Sequence, residues 1–450
     1  MTDDMRVKQE ARKQAKLAKK AANRAVNGES DTASGATTPG ISQILKRDWK
    51  RLNGTKKGDA QTFRLLTWNM LAQTLEVDRL DYMLPFLPNH KAIRASGPGK
   101  LHGLVILYNH NKFIVRSTKT VYYDEEFTQG DVHQERKSAL ADGEDEEGRR
   151  ERKSRWKRAR GGTRQTKNIG LMAALEWVDN PNAGMVVGTT HFYGYERTRQ
   201  ILILMRAMKQ FRQTVNPEWP AYAAGDFNTA PSEPAYRLLV NPGSQLQKDH
   251  LEQLDKSRVI HTSLEKVEEH VETTLSAAAA LAQQNDTANS TSNSSPAEFV
   301  GVPGEDDEKE EAGESQGDPG LPKNSRRPTE EDGLLHGHEL QQMASEIFGH
   351  EGVTSLYGSS GWVGEAEKEL SYGGRGGKGE EGKDEAAWTC FTPIWRLTLD
   401  YLFYLPSANR IGPQVNAVLL PHSAESLEPG LPRKNVCASD HVLLGVELQI

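Results

Sequence analysis

The chain has 450 residues, 36% hydrophobic and 26% charged, with net charge −6 and mean hydropathy −0.68. That length holds two or three domains of roughly 150 residues, or one large domain with long polar additions, and so polar an average favours the second. No uncharged apolar run approaches the roughly 18 residues of a membrane helix, and two cysteines, Cys390 and Cys437, exclude a disulfide-dense scaffold or a cysteine-rich zinc site. The charged residues 1–27 do not read as a signal peptide, so the expected home is cytoplasmic and/or nuclear.

In chain order, residues 1–60 read as a basic disordered tail, with eight Lys or Arg against three acids between Met1 and Asn27. Phe63–Trp68 and Leu104–Leu107 are short apolar runs expected as strands. A charged loop at 130–162 switches from acidic to basic, with Trp156 inside the basic part. Ile169–Trp177, Met185–Thr190 and Ala221–Ala224 read as strands around a helix over Thr198–Phe211, whose apolar residues recur at helical spacing. A polar, acidic stretch at about 265–340 is expected to be a disordered insertion. Leu399–Tyr404 and Val442–Leu448 are the last strands, and the pattern as a whole is mixed α/β.

Polar residues collect at the ends of these strands. Trp68-Asn69, Thr190-His191, Gly225-Asp226-Phe227-Asn228, Asp400 and Ser439-Asp440-His441 all stand where a rigid sheet opens onto a cleft. Each alone reads as a turn or a surface residue; five together point to a site. Carboxylates and amides suit a hard cation such as Mg²⁺, and histidines suit contact with phosphate oxygens, which is the equipment of phosphodiester hydrolysis. There is no P-loop, no Gly-x-Ser-x-Gly elbow and no zinc signature, and His336-Gly337-His338 lies in the polar stretch.

The ordered set resembles the endonuclease/exonuclease/phosphatase superfamily. The resemblance is carried by Thr67-Trp68-Asn69-Met70-Leu71-Ala72-Gln73, Glu76-Val77-Asp78-Arg79-Leu80, Lys167-Asn168-Ile169-Gly170-Leu171, Thr190-His191, Gly225-Asp226-Phe227-Asn228, Thr398-Leu399-Asp400-Tyr401 and Ser439-Asp440-His441. Tyr195-Glu196-Arg197-Thr198-Arg199-Gln200, Ser257-Arg258-Val259-Ile260-His261 and Ser355-Leu356-Tyr357-Gly358 add a likeness to its deadenylase-type RNA exonucleases, in the fungal branch that trims RNA 3′ ends. The resemblance implies one domain over 61–450 and a four-layer, DNase I-like α/β sandwich of two packed mixed sheets flanked by helices. It also implies Mg²⁺-dependent (or Mn²⁺-dependent) 3′-to-5′ hydrolysis of RNA to 5′-monophosphates. Carried over by residue, Glu76 and Asn69 hold the metal. Asp226 positions or activates water, and Asn228 orients the phosphate. His441 paired with Asp440 contacts the scissile phosphate, while His191 and Asp400 complete the pocket. Asn168 and Trp395 meet the substrate, Trp395 by stacking on a base. The implied partner is a single-stranded RNA 3′ end, with no membrane, no leucine-rich docking module and a monomeric state.

Two departures from the family pattern stand out. Relatives separate the Trp-Asn motif from the Glu-Val-Asp motif by several dozen residues carrying a helix and the strand that delivers the Glu, whereas here Leu75 abuts Glu76. The stretch after His191 is shortened to Phe192-Tyr193-Gly194. Both read as excised coding segments, so one strand and helix are expected to be absent after residue 75. Backbone groups left buried and unpaired by such a loss cost about 1–3 kcal/mol each. The rival functions are a catalytically impaired RNA-binding relative and another phosphodiesterase or phosphatase of the superfamily.

Overall fold

The computed structural model describes residues 45–52, 61–70, 84–126 except 101, 166–261 except 193–195, and 321–449 apart from short stretches. The charged loop at 130–162 and Glu76 lie outside the described residues.

The strands, in chain order, are β1 (Trp49–Arg51), β2 (Thr62–Thr67), β3 (His90–Ser96), β4 (Gly103–Asn109), β5 (Phe113–Tyr122), β6 (Ile169–Trp177), β7 (Gly184–His191), β8 (Ala221–Asp226), β9 (Ile260–His261), β10 (Ser325–Arg326), β11 (Thr354–Ser355), β12 (Cys390–Phe391), β13 (Arg396–Leu397), β14 (Asp400–Leu405), β15 (Gln414–Leu419) and β16 (Leu444–Gln449). The helices are α1 (Arg197–Val215), α2 (Pro234–Val240), α3 (Lys248–Ser257), α4 (Gly337–Phe348) and α5 (Ala424–Leu427). Two sheets dominate. The first is antiparallel in the order β1-β15-β16-β2, and the second runs β11-β14-β8-β7-β6-β5 with only β7 and β8 parallel.

Alternation of side chains builds the layers. On β6, Leu171, Ala173 and Leu175 join Phe63, Leu65, Val446 and Leu448 in the core between the sheets. Met172 and Ala174, on the opposite face, pack with Ile201, Leu204, Met205 and Met208 of α1. On β14 the same split sends Leu402 and Tyr404 inward and Tyr401 and Phe403 to the helices. Tyr357 ties the sandwich together: its hydroxyl donates to the Leu419 carbonyl at 2.7 Å and accepts from the Gly445 N–H at 3.1 Å. The expected two-sheet α/β sandwich is therefore present. No helix among the described residues is long and apolar enough to cross a membrane.

The first sheet stops at β2 among the described residues, and β3–β4 is a separate antiparallel hairpin laid over β6 and β7. On β2, Thr62, Arg64 and Leu66 face solvent, Leu66 at 45% exposure.

Two boundaries differ from the sequence expectation. The tail read as 1–60 includes β1, which pairs with β15. The insertion read as ending near 340 ends earlier: β10 pairs with β9, Leu334, Leu335 and Leu340 are buried, and α4 begins at Gly337 behind a His336 cap. In both places the polar composition is local, whereas the partner that orders the segment lies far along the chain.

Glu385 is 1% exposed and accepts from the Tyr236 hydroxyl at 2.6 Å. Burial pushes its carboxyl up to about 7, against the pull of Ser355 and Tyr236. A carboxyl raised above its unfolded value gives stability that is complete below about pH 4.5 and is lost as pH rises through about 7. Glu385→Gln keeps the Tyr236 acceptor without the charge. In urea denaturation, its stability relative to the wild type is expected to rise between about pH 5 and about pH 8; parallel profiles would refute the assignment.

Candidate active site

Strand register assembles the site. Asp400, the first residue of β14, pairs with Asp226, the last of β8, and Asp226 pairs in turn with His191, the last of β7. Directly opposed residues project to the same face, so three polar side chains stand side by side at one sheet end. Gly225 permits the close approach: a Cβ there would lie 2.3 Å from the Thr190 carbonyl oxygen.

The first sheet supplies the other half. Asn69, just past β2, donates its Nδ2 to Asp226 Oδ2 at 3.0 Å. Ser439 Oγ donates to the Asn69 carbonyl at 2.6 Å and accepts the His441 N–H at 3.0 Å, and Trp68 Nε1 donates to the His441 carbonyl at 3.0 Å. His441 Nδ1 then lies 2.6 Å from Asp400 Oδ2, and its Nε2 lies 3.8 Å from Asp226 Oδ2. His191 Nε2 approaches that same oxygen at 3.5 Å. Asp226 Oδ1 accepts the N–H of Asn228, which takes the left-handed conformation (φ +47°) that Asn tolerates. Thr389 Oγ1 accepts the N–H groups of Leu399 and Asp400 at 2.8 and 2.9 Å, fixing the start of β14.

Asp226, Asp400 and His441 are 4%, 1% and 5% exposed, so their charges interact at low dielectric. Burial opposes charge on His441, but the charge and hydrogen bond of Asp400 overcome it and the imidazole is pushed up to about 12. Burial and then the neighbouring Asp400 raise Asp226, while His191, His441 and the Asn228 N–H pull it back. Two buried carboxylates against one imidazolium leave the cluster short of positive charge. The amide of Asn69 and the carboxylate of Asp226 are hard oxygen donors that fit a divalent cation of the Mg²⁺ kind.

The resemblance placed Asp440 as the partner of His441, and the structure corrects this. The Asp400 side chain meets the imidazole, and Asp440, the residue just before His441, instead accepts from Cys390 Sγ at 3.9 Å. Asn168 is 8% exposed at the start of β6, with Oδ1 accepting from Lys100 at 2.9 Å and Nδ2 donating to Gln200 at 3.2 Å. Trp395 is 60% exposed at the tip of the β12–β13 hairpin, a surface aromatic. Sequence reasoning passed over Thr389, Cys390 and Lys100, which carry no periodic or motif signal. Ser439 lay inside a quoted motif without a role. Glu196, Thr198, Arg199 and Gln200 are buried braces: Arg199 donates to Glu196 at 3.2 Å and to the Tyr123 carbonyl at 3.3 Å.

No protein-family model matches the chain. It is 31% identical over 148 residues to the probable RNA exonuclease C9B6.11c of Schizosaccharomyces pombe, covering 32% of this chain and 23% of that protein. It is 30% identical over 101 residues to the RNA exonuclease NGL2 of Saccharomyces cerevisiae, covering 17% of this chain and 20% of that protein. The match thus spans about a quarter or less of the length of these relatives. A crystal structure of ANGEL2, a 2′,3′-cyclic phosphatase, aligns over 90% of this chain and 99% of its own at 17% identity, with a TM-score of 0.43. Over part of its length the chain is thus similar to proteins named RNA exonucleases, in keeping with the seven ordered motifs that resemble the endonuclease/exonuclease/phosphatase superfamily.

Proposed function

We propose that this chain is a metal-dependent exoribonuclease that trims RNA from the 3′ end and releases 5′-monophosphates. The observation that carries the reading is the buried Asp226–Asp400–His441 cluster, set in register by neighbouring strands and joined by Asn69. The yeast relatives named RNA exonucleases support RNA as the substrate class.

Each residue has a task its geometry suits. Asn69 and Asp226 would hold a Mg²⁺ (Mn²⁺ as the substitute), with Glu76 as the further ligand that the resemblance implies. When bound, that ion supplies neutralising charge and a more acidic water. Asp226, anchored through both oxygens, orients the attacking water and takes its proton. His441 keeps its proton through Asp400 and offers a charged donor to a phosphoryl oxygen, where negative charge grows in the transition state. His191, whose side chain is 39% exposed, is placed to meet the same phosphate group from the open side, and Asn228 to orient it. Trp395 offers a face on which a 3′-terminal base stacks. The substrate is a single-stranded 3′ end, met by a monomer in the cytoplasm or nucleus.

One observation favours a second reading, RNA binding without turnover. In the sequence Leu75 abuts Glu76, where the resemblance leads one to expect several dozen residues with the strand that carries the catalytic Glu. A nuclease assay of this chain beside one with the relatives' segment restored after Leu75 separates the two: turnover only in the restored chain establishes the second reading.

On 5′-labelled RNA, the expected outcome is stepwise shortening that stops on chelation and returns with Mg²⁺. Asp226→Ala or His441→Ala should slow it by roughly 10²–10⁴-fold; unchanged rates would overturn the site. Trp395→Ala should raise KM with little change in kcat, because base stacking is uniform binding.

Asp400→Asn tests the protonation of His441. The raised pKa means that the pair stabilises the fold fully below about pH 6.5 and loses that contribution as pH rises toward about 12. By NMR, the wild-type imidazole should stay protonated through pH ~9, whereas in Asp400→Asn it should titrate near or below its ordinary value. Removing the carboxylate from a buried ion pair should also cost about 3–5 kcal/mol of stability.

A further inference from the structure

Beside the cluster lies a second group of donors, which shares His441 with the proposed reaction and adds Cys390 and Asp440, which that reaction does not use. Cys390 and His441 face each other across an antiparallel bridge. The backbone there is fixed by Phe391 N–H donating to the Asp440 carbonyl at 2.9 Å and Val442 N–H donating to the Thr389 carbonyl at 2.8 Å. One donor atom each from Cys390, Asp440 and His441 lies within 4.8 Å of the others. Cys390 is 5% exposed, and Asp440 Oδ1 is buried with no hydrogen-bond partner. A buried carboxylate oxygen in that condition calls for an ion or a donor.

The chemistry of the three ligands selects the ion. Sulfur and imidazole disfavour Mg²⁺ and Ca²⁺, whereas Zn²⁺ binds thiolate, imidazole and carboxylate together. In a zinc tetrahedron of these ligands the donor atoms stand about 3.3–3.6 Å apart, so closing the site needs movements of roughly 1 Å on a fixed backbone. Three protein ligands leave the fourth position for water.

We propose that Cys390, Asp440 and His441 form a thiophilic metal site, distinct from the oxygen donors of Asn69 and Asp226, which takes Zn²⁺ and thereby blocks hydrolysis. Binding sends the thiol proton and the His441 proton to solvent, because thiolate and neutral imidazole are the ligating forms. The nitrogen that binds the metal then has no proton to offer a phosphate. The inhibitory part rests on the active-site reading above; the binding does not.

Co²⁺ titrated into the metal-free full-length protein tests the site directly. The chain has only two cysteines, so a thiolate-to-cobalt charge-transfer band reports one of them. The band is expected in the wild type and in Cys437→Ser, is lost in Cys390→Ser, and is displaced by one equivalent of Zn²⁺. In chelator competition, Asp440→Asn should weaken Zn²⁺ by at least about tenfold. No band in the wild type, or a band lost in Cys437→Ser but kept in Cys390→Ser, overturns the site. In a separate assay, Zn²⁺ added to the Mg²⁺-supported reaction should inhibit the wild type and spare Cys390→Ser; equal inhibition of both overturns the regulatory part. A cobalt band with no RNA hydrolysis by any variant upholds the site and refutes the function. Hydrolysis without a band does the reverse.

Discussion

The antiparallel pairing of Asp400 with Asp226, and the parallel pairing of Asp226 with His191, sets three side chains on one face at one end of the second sheet. Every other feature of the site is arranged around that register. A slip of one residue in β14 would turn Asp400 to the opposite face and leave His441 without its partner. Thr389 guards against that slip by accepting two consecutive N–H groups at the start of the strand. The two sheets meet at the same point, because Asn69 and His441, at the end of the first, bond to Asp226 and Asp400 of the second. The distances that matter for chemistry are thus set by backbone pairing and not by flexible side chains.

Charge follows from the same geometry. Burying two carboxylates and an imidazole together makes the imidazole hold its proton and raises Asp226. Such a group can be stable only if its charges compensate one another or an ion completes them. Asn69 and the Asn228 N–H share the load on Asp226 through hydrogen bonds to opposite oxygens. A carboxylate held on both sides has little freedom to turn, as a group that orients water requires.

Much of the fold was legible because apolar runs and strand ends are local signals. Phe63–Trp68, Ile169–Trp177 and Ala221–Ala224 all became strands, and Thr198–Phe211 lies inside α1. The polar strand ends were legible too, and Asn69, His191, Asp226, Asp400 and His441 do converge. What sequence could not supply was long-range pairing. It assigned His441 to Asp440, adjacent in the chain, when the partner is 41 residues away at Asp400. It read residues 325–340 as part of an insertion because their partners, β9 and the buried core, lie elsewhere in the chain. Thr389 was invisible for the same reason: its value lies in which N–H groups it meets.

Gly225 carries a consequence of a different kind. The residue before Asp226 touches no substrate, yet a single added carbon would strike the Thr190 carbonyl and push β7 from β8. That displacement would separate His191 from Asp226 and loosen the register shared with Asp400. The smallest side chain in the neighbourhood is therefore among the least replaceable. In a mutational survey scored by activity alone, position 225 would rank with the reacting groups; in one scored by abundance, it would rank with the core. Under the proposed function the two scores should diverge at Asp226 and coincide at Gly225, which would distinguish a reacting group from one that only makes room for it.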